Sequence, residues 1–311
     1  MITIRRYSKE DATEWDAFVD ASKNGTFMLK RGYIDYHSDR FEDYSLMFYD
    51  DSVLVALLPA SVQGDEMLSH GGLTYGGIIM AYSTTQQQIL NVFEAMQEYL
   101  HKKGILQLIY KRIPSIYYSY PSDEDLYALF RCNAELIRQD VSTTIYLPSR
   151  ICFSNRRRRG VKNARKENII IQESSNYREY ISLLSEVLKK YHNATPVHSA
   201  DELELLANRF PVNIKLFAAF KQDKMLAGVV TFITPHVVHT QYIANSDEGR
   251  ACGALDAVMD YLINERFSEK NYFDFGISTE QEGTILNEGL ITQKQEFGGR
   301  TITYNFWRLK I

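Results

Sequence analysis

The chain has 311 residues, which is long for one domain and leads to an expectation of two domains of about 150 residues each. Its 45% hydrophobic and 24% charged residues are those of an ordinary globular protein. A net charge of −4 argues against a surface built for long nucleic acid, which needs a broadly basic face, but leaves room for a local basic patch that holds a phosphate.

Residues 2–7 alternate as a strand and lack the apolar core of a signal peptide. A helix is expected around residues 14–22, followed by a loop that carries Lys30 and Arg31. Residues 44–49 and 53–62 read as a hairpin, because the turn residues Asp50 and Asp51 separate two apolar runs. Residues 73–80 read as a glycine-rich strand. Ser83-Thr84-Thr85-Gln86 reads as a capping box, and the helix it opens carries Ile89, Val92, Phe93, Met96 and Leu100 on one face. A strand at residues 105–112, a short helix after Ser122 and closing strands up to Leu147 complete this half.

The second half repeats the order without repeating the residues. Residues 169–172 form a strand, and Tyr177, Ile181, Leu184, Leu188 and Tyr191 make an apolar helical stripe. Ser199-Ala200-Asp201-Glu202 caps a second helix. A hairpin over residues 214–234 turns at Gln222 and Asp223, and a strand over residues 237–244 follows. Leu255, Val258, Met259, Leu262 and Ile263 mark the next helix, with strands at residues 272–278 and 301–309. The boundary between halves is expected near residues 148–159. Cys132, Cys152 and Cys252 are odd in number and lack metal-ligand spacing, which suits a reduced compartment. No apolar run approaches the roughly 20 residues of a membrane-spanning helix, so a soluble cytoplasmic protein is expected.

Near the end of the chain Tyr272-Phe273-Asp274-Phe275-Gly276 leads to Asn287-Glu288-Gly289-Leu290-Ile291-Thr292-Gln293-Lys294-Gln295-Glu296-Phe297-Gly298-Gly299-Arg300. One lysine stands three residues before a Phe-Gly-Gly corner. This segment resembles the closing segment of the Fem-type peptidoglycan aminoacyl transferases, a branch of the GNAT acyltransferase superfamily. The order of elements is similar to two GNAT domains in tandem. The resemblance implies an α/β fold of two tandem GNAT-like domains, mixed sheets with flanking helices around an interdomain groove. Residues 1–150 would then bind the acceptor and residues 151–311 the acyl donor.

In GNAT enzymes a splayed strand offers backbone N–H groups to the acyl carbonyl, and the next helix receives the donor pyrophosphate at its N-terminus, where unpaired amides and the helix dipole favour anions. Here the strand is His239-Thr240-Gln241-Tyr242-Ile243-Ala244, and the following residues 245–255 match half of the family's glycine loop. Arg250 and Gly253 fit, whereas Leu255 does not, and Asp247 and Glu248 are acidic where a pyrophosphate would sit. The resemblance makes Ile243, Ala244, Gly249, Arg250 and Gly253 the expected donor-binding residues, with acyl-CoA as cosubstrate and no metal. A plain helix start is the other reading of this segment.

Lys294 corresponds to a family lysine in a Lys-x-x-Phe motif followed by a small residue, which implies stabilisation of the tetrahedral oxyanion; a solvated turn lysine is the alternative. Asp274, alone among apolar aromatics, is either paired structurally or raised in pKa and used as a base. Period-two alternation puts Tyr272, Asp274 and Gly276 on one face and Phe273 and Phe275 on the other. Tyr242 is a candidate to protonate a leaving group, and His239 reads as a satisfied strand residue. In the first half, glycines around His70, Tyr75 and Gly76 mark close approach of backbone or ligand. The resemblance places this string at the acceptor, along with Lys30 and Arg31 as contacts to an acceptor phosphate. Surface charge is the other reading of Lys30 and Arg31.

Arg156-Arg157-Arg158-Arg159 with Lys162, Arg165 and Lys166 is the densest charge run, read either as a solvated helix or as a contact to donor phosphates or a tRNA end. There is no zinc-like Cys/His spacing, Walker loop or nucleophile elbow. The expectation is an N-acyltransferase moving an acyl group from acyl-CoA to an amine of a sugar, cell-envelope (peptidoglycan) precursor or small molecule. An aminoacyl-tRNA donor and a non-catalytic ligand-binding protein are the alternatives.

Overall fold

The computed structural model describes residues 1–192 and 194–311. Contacts divide the chain into two units. The first holds Met1–Asp140, Gln281–Thr284 and Thr303–Ile311. It contains β1 (Ile2–Arg6), α1 (Ala12–Asp20), α2 (Arg31–Ile34), β2 (Glu42–Asp43), β3 (Leu46–Asp50), β4 (Val53–Leu58), β5 (Ser61–Gln63), β6 (Glu66–Leu68), β7 (Ile79–Met80), α3 (Gln86–Lys102), β8 (Gln107–Lys111), α4 (Glu124–Arg131) and the start of β9 (Glu135–Tyr146). One antiparallel sheet runs β1-β3-β4-β7. A second set of strands runs β2-β5-β6-β8, with residues 306–310 paired antiparallel to β8.

Local chemistry explains these elements. Asp51 and Ser52 take positive φ, 45° and 72°, which gives the tight turn that folds β4 back on β3. The stripe on α3 is fully buried as expected, packing Ile89, Val92, Phe93, Met96 and Leu100 against Phe48, Leu58 and Tyr110. Each such side chain removed from water contributes about 1.5–3 kcal/mol. The cap of α3 differs from expectation: Thr85, not Ser83, is the N-cap and exchanges hydrogen bonds with Gln88. The expected strand at residues 73–80 is also reduced to Ile79–Met80. Its glycines let the backbone press against side chains instead of pairing: a Cβ on Gly77 would stand 2.7 Å from the Tyr110 hydroxyl.

The second unit holds Val141–Glu280 and Ile285–Ile302. After the end of β9 come α5 (Asn155–Lys166), β10 (Ile170–Ser174), α6 (Tyr177–His192), α7 (Ala200–Arg209), β11 (Ile214–Lys221), β12 (Lys224–Ile233) and β13 (Val237–Asn245). They are followed by α8 (Asp247–Cys252), α9 (Ala254–Asp260) with a π-helical turn to Arg266, β14 (Tyr272–Ile277), β15 (Thr279–Glu280), β16 (Ile285–Leu286), α10 (Glu288–Gln295) and β17 (Arg300–Lys310). The sheet runs β10-β11-β12-β13-β14-β9, antiparallel except where β13 and β14 lie parallel. Leu255, Val258, Met259, Leu262 and Ile263 pack with Phe217, Phe273 and Phe275 into one core.

A division at 150/151 was expected. The contacts instead change at 140/141, within β9, and return the last residues of β17 to the first unit, because Phe306–Lys310 complete the β8 ladder. No helix among the described residues is long and apolar enough to cross a membrane.

Candidate functional site

Three residue pairs fix the geometry of the second unit's site. Val237, Val238 and His239 of β13 pair in parallel with Tyr272, Phe273 and Asp274 of β14, and the register ends there. A bulge between β12 and β13 at Val230/Thr231 adds one residue to β13 just beyond this point, which bends the strand and turns it away. Beyond the parting, Ile243 and Asn245 of β13 and Phe275 of β14 line a cavity of about 580 Å³. Leu255, Asp256 and Met259 of α9 and Leu290, Gln293 and Lys294 of α10 complete much of its wall.

The rest of the wall belongs to α5. Arg156, Arg159, Gly160 and Asn163 share one helical face by their spacing, and all line the cavity. Ser154 caps this helix by accepting from the Arg157 amide. Arg157 has a different task. Its guanidinium is buried, donates to Asp256 at 2.8 Å and stands 3.0 Å from Glu296, while its carbon lies 4.4 Å from the centre of the Phe297 ring. It clamps α5 to α9 and α10. Among the described residues neither Arg159 nor Arg250 has a carboxylate within ion-pair distance, and both are exposed. Arg250 stacks on Tyr191 at 4.0 Å. The arginine run thus divides: Arg157 is packed, Arg156 reaches Glu296 at 3.4 Å from an exposed position, and Arg159 has no carboxylate partner among the described residues, a division that sequence spacing could not assign.

Lys294 is 5% exposed and lines the cavity. Asn287 caps α10, and the helix carries Lys294 to the end of β14. There its ammonium donates to Gly276 O at 2.9 Å, Ile277 O at 2.6 Å and Ser278 Oγ at 2.9 Å. Burial pulls its pKa down to about 8, opposed by the charge of Asp274. It is not a solvated turn residue.

The segment after β13 is built differently from a glycine loop. Ser246 accepts from the Gly249 amide at 3.0 Å and starts α8 directly. Gly253 then breaks the helix at φ 80°, where a Cβ would stand 2.3 Å from Gly160 O, and α9 begins. Close packing of α5 on α9 therefore requires this glycine. Gly249 is buried inside α8, where a Cβ would meet Leu226 O at 2.6 Å. Asp247 pairs with Lys190 and Tyr191, and Glu248 pairs with Lys224; neither lines the cavity.

Of the residues singled out in the sequence, the cavity brings together Lys294, Ile243, Arg250 and Gly253. Ala244 is buried and Tyr242 turns its hydroxyl to His198, with burial holding its pKa above the usual phenol value. Asp274 lies at 0% exposure and accepts from Ser142 at 2.6 Å, Thr144 at 2.7 Å and the His239 ring at 2.7 Å. Burial pushes its carboxyl up, but the hydrogen bonds from His239, Ser142 and Thr144 outweigh it and hold the pKa below the usual range. Asp274 itself is therefore an ionised, fully engaged group, of the two alternatives the paired one.

The remaining five residues lie in the first unit. Lys30 pairs with Asp20 at 2.6 Å. Arg31 is buried, bonded to Asp35 and Asp43 and stacked 3.6 Å over Tyr7, so its charge is spent on packing the N-terminal elements. His70 is buried at φ 56° beside His37, and burial lowers its pKa to about 3. Tyr75 lies buried with its hydroxyl 3.1 Å from Thr26, and the Gly76 amide donates to Lys111 O at 2.9 Å.

No family model matches the sequence, and no curated protein matches it. Solved structures do match in shape. A structure of FemX aligns with a TM-score of 0.71 at 10% identity, covering 99% of this chain and 97% of that one. L-PGS from Bacillus licheniformis aligns at 0.63 and 12% identity, over 98% of this chain and 92% of that one. A tandem GNAT protein from the clavulanic acid biosynthesis pathway aligns at 0.52 and 11% identity, over 100% and 98%. Such identities speak for the fold: the chain has a FemX-like, tandem GNAT α/β fold.

Proposed function

We propose that the chain is an acyltransferase that moves an acyl group from an acyl-CoA thioester to an amine of a sugar, a cell-envelope precursor or a small molecule, with the second unit holding the donor and the first serving the acceptor. One observation carries the reading: β13 and β14 part after His239 and Asp274, and the opening leads into a cavity with both an apolar and a cationic wall. An acyl thioester needs an apolar path, which Ile243, Leu255, Met259 and Phe275 supply. Its phosphates need cations, which Arg156, Arg159 and Arg250 supply.

Transfer requires a neutral amine held against the carbonyl and positive potential where oxygen gains charge. Lys294 supplies such potential. Its three protons already go to Gly276, Ile277 and Ser278, so it acts through its field while holding the end of β14 in place. Titration calorimetry with acetyl-CoA tests the reading. Binding that weakens with salt is expected, followed by amide formation when a primary amine is added. No heat at millimolar acetyl-CoA would remove it.

A second donor is favoured by one observation: Arg158, Lys162 and Lys166 are exposed on α5 outside the cavity, extending the basic surface beyond the cavity mouth. An aminoacyl-tRNA end, rich in phosphate, suits that surface. Competition between coenzyme A and aminoacyl-tRNA for the chain distinguishes the two. Binding of a glycan or nucleotide-sugar with no binding of either donor would favour a non-catalytic role.

A further inference from the structure

We infer that His239, oriented by Asp274, takes the proton from the acceptor amine, and that this amine meets the donor from the face of the sheet opposite the cavity. The inference rests on the acyl-transfer reading above. Side chains alternate along β14: Phe273 and Phe275 join the core formed with α9, and Phe275 lines the cavity. Asp274 therefore belongs to the other face, and a register irregularity in the ladder with β9 follows it. His239 is the register partner of Asp274, the last pair before the two strands part.

The hydrogen bonds set the tautomer. His239 Nδ1 donates to Asp274 Oδ2 at 2.7 Å, while Ser142 and Thr144 donate to Oδ1. A carboxylate so engaged stays ionised and keeps the imidazole proton on Nδ1, leaving a lone pair on Nε2. The His239 side chain is 12% exposed, and Nε2 has no partner among the described residues. At Gly276, with φ 75°, a Cβ would stand 3.2 Å from His239 Cε1 and 3.9 Å from Nε2. The missing side chain leaves the imidazole edge open. The same glycine's carbonyl takes the Lys294 ammonium at 2.9 Å, so imidazole and ammonium meet at one peptide beside the parting of the strands.

The step balances without a further reactant. The amine nitrogen forms a bond to the thioester carbonyl carbon and passes one proton to His239 Nε2. The carbon–sulfur bond then breaks with its electron pair on sulfur, and the thiolate recovers a proton from His239 or water. Asp274 stays ionised throughout and positions the ring.

The test uses the full chain with acetyl-CoA and ethylamine, reading amide by mass spectrometry and free thiol by colour. His239→Gln is expected to lower the rate about 100-fold or more, the usual worth of a general base, with acetyl-CoA affinity unchanged. Its pH–rate profile should lose the limb that rises with pH in the wild type. Asp274→Asn, if its melting curve shows it folded, should shift that limb rather than abolish it. Wild-type rate and profile in His239→Gln would overturn the inference and leave acyl transfer standing. Diethyl pyrocarbonate gives an independent readout: His239 should be carbethoxylated faster than buried His37 and His70. An unreactive His239 in a chain that forms amide would also overturn the inference alone. A wild type that binds acetyl-CoA yet yields no amide would overturn it together with the acyl-transfer reading.

Discussion

Lys294 donates to the carbonyl oxygen of Gly276 at 2.9 Å, tying the last turn of α10 to the end of β14. The bond makes one residue both a wall of the cavity and a brace for the strand that forms it. Lys294→Met is therefore expected to reduce stability as well as turnover. Buried acceptors left unsatisfied cost about 1–3 kcal/mol, partly offset by relief of the buried charge. Urea unfolding of the variant should show a lower midpoint at unchanged slope, and its activity must be expressed per folded molecule. A midpoint equal to the wild type's would show that the brace carries no energy.

Burial sets the pH response of the fold. Lys294, at about 8, and Lys111, at about 7, both lie below the usual lysine value, so the unfolded chain binds protons that the folded chain does not. Their contribution is greatest at high pH and is lost as pH falls toward 8 and 7; below that neither adds slope. His70, at about 3, acts lower: stability is lost as pH falls from the ordinary histidine value toward 3. The slope from one such group reaches at most about 1.4 kcal/mol per pH unit. His70→Asn, in a residue type that tolerates the positive φ, should flatten the acid limb between pH 6 and 4, by about that slope, relative to the wild type. Parallel limbs would assign the loss to carboxylates.

Arginines of the cavity should separate by function. Arg159→Gln and Arg250→Gln each remove a charge without a carboxylate partner, and are expected to weaken acetyl-CoA binding several-fold and reduce its salt dependence. Arg157→Met breaks the clamp to Asp256 and Glu296 and should lower the melting temperature, since removing one partner of a buried pair costs about 3–5 kcal/mol. Calorimetry and melting curves on the three variants check the division. If Arg159→Gln and Arg250→Gln both bound with wild-type affinity, the donor phosphates would lie elsewhere.

Gly253→Ala combines a φ of 80° with a Cβ placed 2.3 Å from Gly160 O. Both the strained backbone and the forced separation of α5 from α9 are destabilising, by more than the roughly 1 kcal/mol of a simple glycine replacement. Gly64→Ala, with φ 62° and nothing within 4 Å of the added Cβ, isolates the backbone part of the effect. Equal losses in the two variants would leave no role for the packing of α5 on α9.

What the sequence by itself determined was local. The stripe of α3, the hairpin turn expected at Asp50 and Asp51 and found one residue on, the alternation of Phe273 and Phe275 with Asp274, and the tandem order of elements follow from period and turn chemistry that neighbouring residues carry. Lys294 was legible too, through its motif, though not the three acceptors that hold it. Tertiary structure decided the rest. Whether Asp274 was a base or a partner depended on Ser142 and Thr144 of β9 and His239 of β13, residues brought to it only by sheet register. Arg31, next to Lys30, and Arg157, within its arginine run, read in the sequence like surface charges, yet each is buried against carboxylates from other segments. A side chain's charge is written in the sequence, but its desolvation and its partners are set by segments distant in the chain, and those two terms decide whether the charge packs, binds or reacts.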